Sequence, residues 1–227
     1  MNQSDERREP VQVSVDVVLL TLVEQQLHAV LLRRQAAPFA GVWALPGGFI
    51  HTEEDADAKA SAARVLRTKV GIEGAYLEQL ATFSGPARDP RGWSVAIAYC
   101  ALLPVQNLPP NRSDISVVPL SALPQLPFDH RAILDAALER VRSKSLYSSL
   151  PVHLCGETFT LPQLQQVYEN ILGEPLNKVS FRRKMDEMDW LEAVPGAMLG
   201  GGAHRPAQLY RAKPGFSQTL ALTARGL

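Results

Sequence analysis

The chain has 227 residues and carries equal numbers of basic and acidic side chains, 23 of each, so its formal net charge at neutral pH is zero. This balance excludes a general electrostatic attraction to nucleic acids or membranes, and any such partner must be recognised by local charge. No apolar run reaches the roughly 18 residues of a membrane span, and the start is too polar for a secretion signal, so we expect a cytoplasmic protein with no membrane partner. The two cysteines lack metal-ligand spacing and are expected to be free thiols. The length leaves room for two domains.

The first part of the chain predicts β structure. Residues 1–10 form a charged arm that ends in proline, and we expect this arm to be flexible. Residues 11–22 alternate and then become wholly apolar, which is typical of a buried strand. Residues 27–34 predict the second strand of a hairpin, and Arg33 and Arg34 stand at its mouth as candidate ligand contacts.

A glycine turn and a helix come next. The turn of Gly47 and Gly48 allows the backbone to approach a phosphate closely. The flanking aromatic residues Trp43 and Phe49 are candidate ligand contacts beside it. Residues 57–70 then predict a helix, because an acidic start is followed by apolar residues at helical spacing and by a glycine stop. Its expected inner positions are Ala60, Ala63, Val65, Leu66 and Val70.

Two further segments supply candidate ligand residues. An Arg-Asp-Pro-Arg-Gly turn begins at Arg88 and leads through Arg91 and Trp93 into an apolar strand. Guanidinium groups suit diphosphate and ribose oxygens because their forked donors bind two oxygens at once. The alternative is a surface hairpin with solvated arginines. Phe128 and His130 stand where the next helix begins, and His130 either lines the ligand pocket or caps that helix.

The sequence pattern changes after residue 148. A threonine and a proline mark the start of a helix that ends at residue 172, and a second helix is predicted over residues 178–191. A helix, a tight turn and a helix with a basic start predict a helix-turn-helix, whose second helix reaches base edges and phosphates. The candidate DNA contacts on this helix are Lys178, Ser180, Arg182, Arg183 and Lys184.

A glycine-rich tip between strand-like pieces predicts a wing after the second helix. No acidic residue occurs from residue 193 to residue 227, so this segment is locally basic although the whole chain is neutral. The candidate DNA contacts here are His204, Arg205, Gln208 and Tyr210. A different hypothesis makes the basic wing a contact for an acidic protein, which would show a shallow salt dependence and no operator preference.

The segment from Trp43 to Ile72 resembles a Nudix box, whose family pattern is G-x5-E-x7-R-E-U-x-E-E-x-G-U. Gly48 and Glu54 match the start of the pattern, whereas Arg64 comes two residues later than the pattern has it. In place of the three glutamates that follow the arginine, this sequence has Val65, Thr68 and Lys69.

The lost glutamates bear on catalysis. Mg²⁺ requires oxygen ligands, and hydrolysis of a diphosphate needs the metal to orient water and to neutralise developing charge. The resemblance therefore implies a nucleotide-binding fold without a metal site and without hydrolysis. The alternative is a shifted register, in which carboxylates at the helix start form a metal site and the protein is an active hydrolase of ADP-ribose or a related nucleoside diphosphate. These carboxylates are Glu53, Glu54, Asp55 and Asp57.

A Nudix-like domain followed by a short winged helix resembles the NrtR family of Nudix-related transcriptional regulators. The segments that carry this resemblance are 45–50, 88–95, 128–130, 144–148, 159–162, 180–183 and 205–210. The resemblance implies an α/β (α+β) fold, with a Nudix-like α/β/α sandwich over residues 11–148 and a C-terminal winged helix-turn-helix domain over residues 149–227.

Membership of that family implies a function. The expected protein is a homodimeric repressor of genes for NAD biosynthesis and salvage, which binds double-stranded operator DNA at the nucleoid and is released by ADP-ribose as effector, with no cofactor required. The adenine would lie near Trp43 or Phe128, and the diphosphate would meet Arg33, Arg34, Arg88 or Lys69. Lys69 would then take the place of the lost metal as the counter-charge.

Overall fold

The computed structural model describes residues 10–200, 206–216 and 219–223. Within these ranges the chain forms a seven-stranded sheet followed by a three-stranded sheet. The predicted wing contacts His204 and Arg205, and nearly all of the predicted N-terminal arm, lie outside the described residues. None of the helices in the described ranges is long and apolar enough to cross a membrane.

The seven-stranded sheet belongs to the first domain. In chain order its elements are β1 (Gln12–Val23), β2 (Gln26–Arg33), β3 (Trp43–Ala44), β4 (Gly47–Phe49), α1 (Ala58–Val65), β5 (Tyr76–Gly85), β6 (Ser94–Leu102), β7 (Ile115–Pro119) and α2 (His130–Ser145). The main strand order is β3-β2-β1-β6-β5, while β4 pairs with β1 and β7 pairs with β2. β1 runs parallel to β6 and antiparallel to its other neighbours.

The central strand β1 explains why this domain is a sandwich. Val18 and Leu20 point to one face of the sheet and belong to the core under α2. Val17 and Leu19 point to the other face and belong to the core under α1. Because successive side chains of a strand alternate between the faces, a strand covered on both sides must be apolar throughout. The predicted α/β/α sandwich is therefore confirmed.

The helix after the glycine turn differs in detail from the prediction. Asp57 caps α1 by accepting a 2.7 Å hydrogen bond from the Ala60 backbone N–H. The helix then continues as one π-helical turn over Leu66–Val70, which ends at a glycine in the left-handed region. Ala62 is buried and Ala63 is exposed, so the prediction that Ala63 faces the core was wrong. The physical reason is that neighbouring alanines carry too little apolar surface to define a helix face.

The second domain is a winged helix. Its elements are β8 (Phe159–Thr160), α3 (Leu161–Leu172), α4 (Lys178–Glu187), β9 (Leu191–Leu199) and β10 (Ala207–Ala212). Thr160 caps α3 through a reciprocal capping box with Gln163. The prediction that the second helix reaches Leu191 was wrong, since the chain turns at Asp189, which has a φ of 46°. Trp190 is then fully buried, and Leu191 starts the first strand of the wing.

The two domains meet at a junction that also holds the C-terminal segment. The hydroxyl of Tyr168 on α3 donates a 2.7 Å hydrogen bond to the carbonyl oxygen of Ser148, just after α2. Ser149 exchanges two hydrogen bonds with Ala221, one through its backbone N–H and one through its hydroxyl. The boundary predicted between residues 148 and 149 falls within this junction.

Candidate functional site

A cleft of about 540 Å³ opens at the glycine-turn end of the sandwich. The glycine turn, α1 with its π turn, the turn that starts at Arg88 and the start of α2 form its walls. Most of the predicted ligand residues line it, namely Arg34, Gly47, Gly48, Phe49, Lys69, Arg88, Arg91, Phe128 and His130. Ten further residues that line it were not among the predicted ligand contacts, namely Ser14, Asp16, Ala36, Ala37, Leu45, His51, Glu54, Arg64, Thr68 and Asp89.

Three predicted ligand residues lie elsewhere. Arg33 is the last residue of β2, and its exposed side chain donates to the carbonyl oxygen of Gly41. Trp43 is half-buried and packs against the core under α2. Trp93 is 46% exposed and lies outside the cleft. The geometry therefore does not support ligand contacts from Arg33, Trp43 or Trp93.

Close approach of other groups requires a glycine at position 47 and leaves little room for a side chain at position 48. β4 pairs with β1 so that Gly47 lies opposite Asp16. A Cβ atom on Gly47 would come within 2.2 Å of Asp16 Oδ1, and one on Gly48 within 3.2 Å of Lys69 Nζ. The turn thus admits a buried carboxylate and an amine to the floor of the cleft. Asp16 could have been selected from the sequence, because it is a lone acidic residue within an apolar strand.

Lys69 is the helix residue closest to the glycine turn. Its Nζ donates a 2.5 Å hydrogen bond to the carbonyl oxygen of Gly47. Burial lowers the pKa of Lys69, and the neighbouring cations Arg34 and Arg64 lower it further, against the opposing effect of Asp16. A cation that lies among other cations gains from an anionic ligand beside it.

The motif positions do not offer the ligands that a divalent cation needs. Val65 is fully buried, and the hydroxyl of Thr68 donates to the carbonyl oxygen of Arg64 on its own helix. Lys69 brings an amine. Among the residues that the structure describes, no group of three histidine, cysteine, aspartate or glutamate side chains is arranged to hold a metal ion. The Nudix fold implies Mg²⁺, but hard cations require oxygen ligands, and this donor set does not fit one.

Three acidic residues at the helix start, Glu54, Asp55 and Asp57, have protein partners, which argues against the alternative of a shifted-register metal site. Asp55 accepts two 2.7 Å hydrogen bonds from Arg64, and these bonds hold the pKa of Asp55 well below its usual range. Asp57 caps α1. Glu54 pairs with an adjacent histidine and lies 3.6 Å from Arg64 Nε, and Glu53 is exposed. Among the residues that the structure describes, these carboxylates are not arranged to hold a metal ion.

Arg88 is held by protein partners at all of its side-chain nitrogens. Its Nε and Nη2 donate to the two carboxylate oxygens of Asp129 at 2.9 and 2.8 Å. Nη1 donates to the hydroxyl of Ser94 at 3.2 Å, and Nη2 lies 3.4 Å from Asp16 Oδ2. The sequence pattern predicted a guanidinium open to a diphosphate, whereas the structure shows one that already ties α2 to β1 and β6. Arg91 is paired in the same way with Asp89.

Aromatic and imidazole rings also line the cleft. The guanidinium of Arg34 lies 4.8 Å from the centroid of the Phe128 ring, close enough for a cation–π interaction. His130 is buried, and its Nδ1 accepts a 3.1 Å hydrogen bond from the Leu45 backbone N–H. Burial lowers the pKa of His130. His130 therefore lines the cleft and also braces the glycine turn, while the N-cap of α2 is Asp129.

The outer face of α4 is the candidate nucleic-acid interface. The predicted residues Lys178, Ser180, Arg182 and Arg183 are exposed there, and Lys184 is half-buried. Val179 was missed, and its side chain is 77% exposed on the same face as Arg183, one helical turn away. An apolar residue was the wrong type to select from charge alone, and only its exposure in the fold reveals it.

Two predicted wing contacts have structural partners. The Gln208 amide nitrogen donates to the carbonyl oxygens of Val194 and Ala197, at 2.8 and 3.1 Å, and so fixes the strands of the wing to each other. Tyr210 is half-buried and packs against the core of the winged helix. These contacts favour support of the wing as the role of Gln208 and Tyr210.

Comparisons with known proteins match both domains. Residues 10–139 match the model of the NUDIX domain, and residues 151–212 match that of the NrtR DNA-binding winged helix domain. The ADPR responsive transcriptional repressor NtrR of Acinetobacter baylyi is 40% identical over 204 residues, which cover 88% of this chain and 81% of that protein.

Two solved structures extend the comparison. NrtR of Shewanella oneidensis, crystallised with a 27mer DNA, superposes with a TM-score of 0.87 at 38% identity, covering 95% of this chain and 99% of that one. The NUDIX domain of the same Shewanella oneidensis protein, crystallised with ADP ribose, gives a TM-score of 0.54 at 36% identity, covering 61% of this chain and 94% of that one.

Proposed function

We propose that this chain, which belongs to the NrtR family of Nudix-related regulators, is a DNA-binding transcriptional repressor that ADP-ribose releases from its operator. The observation that carries the proposal is that one chain joins a cationic cleft to a winged helix whose outward face is basic. In this proposal residues 11–148 bind ADP-ribose, residues 149–227 bind DNA, the protein acts as a homodimer, and its targets are genes of NAD metabolism.

The cleft suits a nucleoside diphosphate sugar. Lys69 presents a partly desolvated amine at the glycine turn, where it can neutralise a diphosphate without a metal. Phe128 and Phe49 offer ring faces, although each already lies against an arginine, Arg34 and Arg91 respectively. We therefore assign the diphosphate to the floor near Lys69 and the adenine to the wall near Phe128.

The same residues favour binding over hydrolysis. Val65, Thr68 and Lys69 provide no carboxylate at the motif positions, and the nearby acidic side chains bind Arg64 or the start of α1. In this proposal ADP-ribose acts as an effector that needs to be bound and not cleaved, and no cofactor takes part.

The DNA-binding surface combines cations with one apolar residue. Lys178, Arg182 and Arg183 supply charge for the phosphates and base edges of the major groove, where the recognition helix of a helix-turn-helix lies. The exposed methyl groups of Val179 suit the C5-methyl of thymine, which apolar side chains contact in that groove. We infer that Val179 selects thymine at one position in each half-site.

Deoxyuridine substitution tests the role of Val179, because it removes only the thymine methyl. Deoxyuridine in place of thymine is expected to weaken binding of the wild-type protein about fourfold at each such position, the effect of losing about one buried methylene-sized group. Val179→Ala should bind the two duplexes nearly equally. If the variant discriminates between them as well as the wild type does, Val179 has no such role.

A gel-shift titration tests the proposed function as a whole. The probe is the promoter fragment upstream of the protein's own gene, titrated with and without ADP-ribose in the presence of a chelator. The proposal predicts a protein–DNA complex in the absence of ADP-ribose, and it predicts that ADP-ribose dissociates this complex without added metal. A complex indifferent to ADP-ribose, or no complex under either condition, would refute it. Release of AMP from ADP-ribose on adding Mg²⁺ would instead favour the hydrolase.

A further inference from the structure

Two arginines of the cleft hold consecutive residues at the start of α2. Arg34 lies against the ring of Phe128, and Arg88 forms two hydrogen bonds with the carboxylate of Asp129. The φ of Phe128 is 57°, a left-handed conformation that a bulky residue rarely adopts. Backbone conformations of this kind persist only when their surroundings enforce them, and they concentrate at ligand sites and switch regions. The start of α2 is thus held by the residues that line the cleft.

The carboxylate of Asp129 is also placed to cap the N-terminus of α2. Asp129 occupies the N-cap position of α2, yet in the described part of the chain its side chain makes no hydrogen bond to the first turn of that helix. Aspartate at an N-cap ordinarily accepts from the second or third N–H of the helix, which would here be those of Arg131 and Ala132. The pairing with Arg88 therefore replaces an N-cap that the sequence is suited to make.

A diphosphate competes for the same donors. Arg88 lines the cleft and its side chain is only 8% exposed, so its guanidinium is shared between the cleft and the protein interior. Phosphate oxygens accept from a guanidinium in the same forked geometry as a carboxylate does. An anion bound above the glycine turn and the carboxylate of Asp129 are therefore alternative partners for Arg88.

The far end of α2 reaches the winged helix domain. The Ser148 hydroxyl donates a 2.7 Å hydrogen bond to the carbonyl oxygen of Lys144 in the last turn of α2. The carbonyl oxygen of Ser148 accepts the hydroxyl hydrogen of Tyr168 on α3. Ile133 of α2 and Ile171 of α3 also belong to one core cluster. A single helix thus connects the residues that grip Arg88 with the domain that we assign to DNA.

We infer that Asp129 is a positioning residue that competes with the diphosphate of ADP-ribose for Arg88, and that the transfer of Asp129 from Arg88 to the N-cap of α2 couples the cleft to the winged helix. This inference rests on the proposed function. Ligand binding moves Arg88 to the diphosphate, frees Asp129 to cap α2 and shifts the helix against the junction. Asp129 paired with Arg88 belongs to the arrangement that binds operator.

The variant Asp129→Asn tests the inference, because asparagine loses the charge that pairs with Arg88 but remains a good N-cap residue. In the full chain, with a chelator present, ADP-ribose is titrated by calorimetry and the own-gene promoter fragment by gel shift. The inference predicts opposite changes, with ADP-ribose bound about fivefold more tightly and DNA about fivefold more weakly, at the lower end of ordinary coupling. Asp129→Ser, a second uncharged N-cap, should behave in the same way.

A matched control lies on the same helix. Asp135 pairs with Arg131 at the exposed surface, so Asp135→Asn removes a carboxylate from α2 without touching the cleft, and both affinities should stay unchanged. A parallel loss of both affinities, or no change in either, for Asp129→Asn and Asp129→Ser would overturn the inference. If the wild-type protein itself shows no release by ADP-ribose, the proposed function fails first, and the two failures are thereby distinguished.

Discussion

Replacement of Lys69 by glutamate is expected to weaken ADP-ribose binding about 100-fold, because it exchanges an attraction to the diphosphate for a repulsion. A unit-charge pair about 4 Å apart is worth about 4 kcal/mol at an effective dielectric constant of about 20, before solvent screening, and a 100-fold loss corresponds to about 2.7 kcal/mol. Calorimetry in the presence of a chelator measures the effect. Lys69→Met, which removes the charge and keeps the length, should lose about tenfold.

The control for Lys69 is another lysine of the same helical segment. Lys59 is exposed on α1 away from the cleft, so Lys59→Glu makes the same change of net charge and should leave the affinity for ADP-ribose unchanged. Thermal unfolding of each variant checks that the loss of the Lys69–Gly47 hydrogen bond has not unfolded the turn. If Lys69→Glu binds ADP-ribose with unchanged affinity, Lys69 is not the counter-charge of the diphosphate.

The double variant Arg182→Ala, Arg183→Ala is expected to weaken operator binding at least about 30-fold at physiological salt, since each arginine that binds a base typically contributes about 1 to 3 kcal/mol. Both side chains are exposed, so the fold should be retained. The plot of the logarithm of the affinity against the logarithm of the salt concentration should also become less steep. Its slope should decrease in magnitude by about 0.9 for each phosphate that is no longer neutralised. Gel shifts at several salt concentrations measure both effects.

A control with the same loss of charge uses exposed arginines of the first domain. The double variant Arg67→Ala, Arg131→Ala removes two positive charges far from α4 in sequence and should leave the salt dependence of operator binding unchanged. If it weakens binding as much as the α4 variant does, the attraction is a general effect of net charge. The assignment of α4 as the recognition helix would then be wrong.

Local sequence signals predicted the elements of both domains well, because each depends on nearby residues. The apolar β1, the capping box at Thr160 and the glycine after α3 all act within a few positions of the feature that they define. The helix after Asp57 was placed correctly, and Val65, Leu66 and Val70 are buried as predicted, whereas Ala63 is exposed. The alanines left their part of the inner face undefined, and the last turn is a π turn, whose repeat differs from 3.6 residues.

The sequence predicted which residues line the cleft better than it predicted what each of them binds. Arg88 and Asp129 are separated by 41 residues in the chain, and their pairing depends on how the strands bring them together. The same holds for Asp16 beneath Gly47, which the strand pattern treats only as an interruption. The charge of a residue marks it as a candidate ligand contact, but tertiary structure determines which partner that residue binds.

The measurement that tests the account most directly is the affinity for ADP-ribose of the free protein and of the protein saturated with operator duplex. Coupling between two binding sites is reciprocal, so operator must weaken ADP-ribose binding by the same factor by which ADP-ribose weakens operator binding, typically about 5- to 150-fold. The account predicts equal factors from calorimetry and from gel shifts. Equal ADP-ribose affinities with and without operator would contradict it.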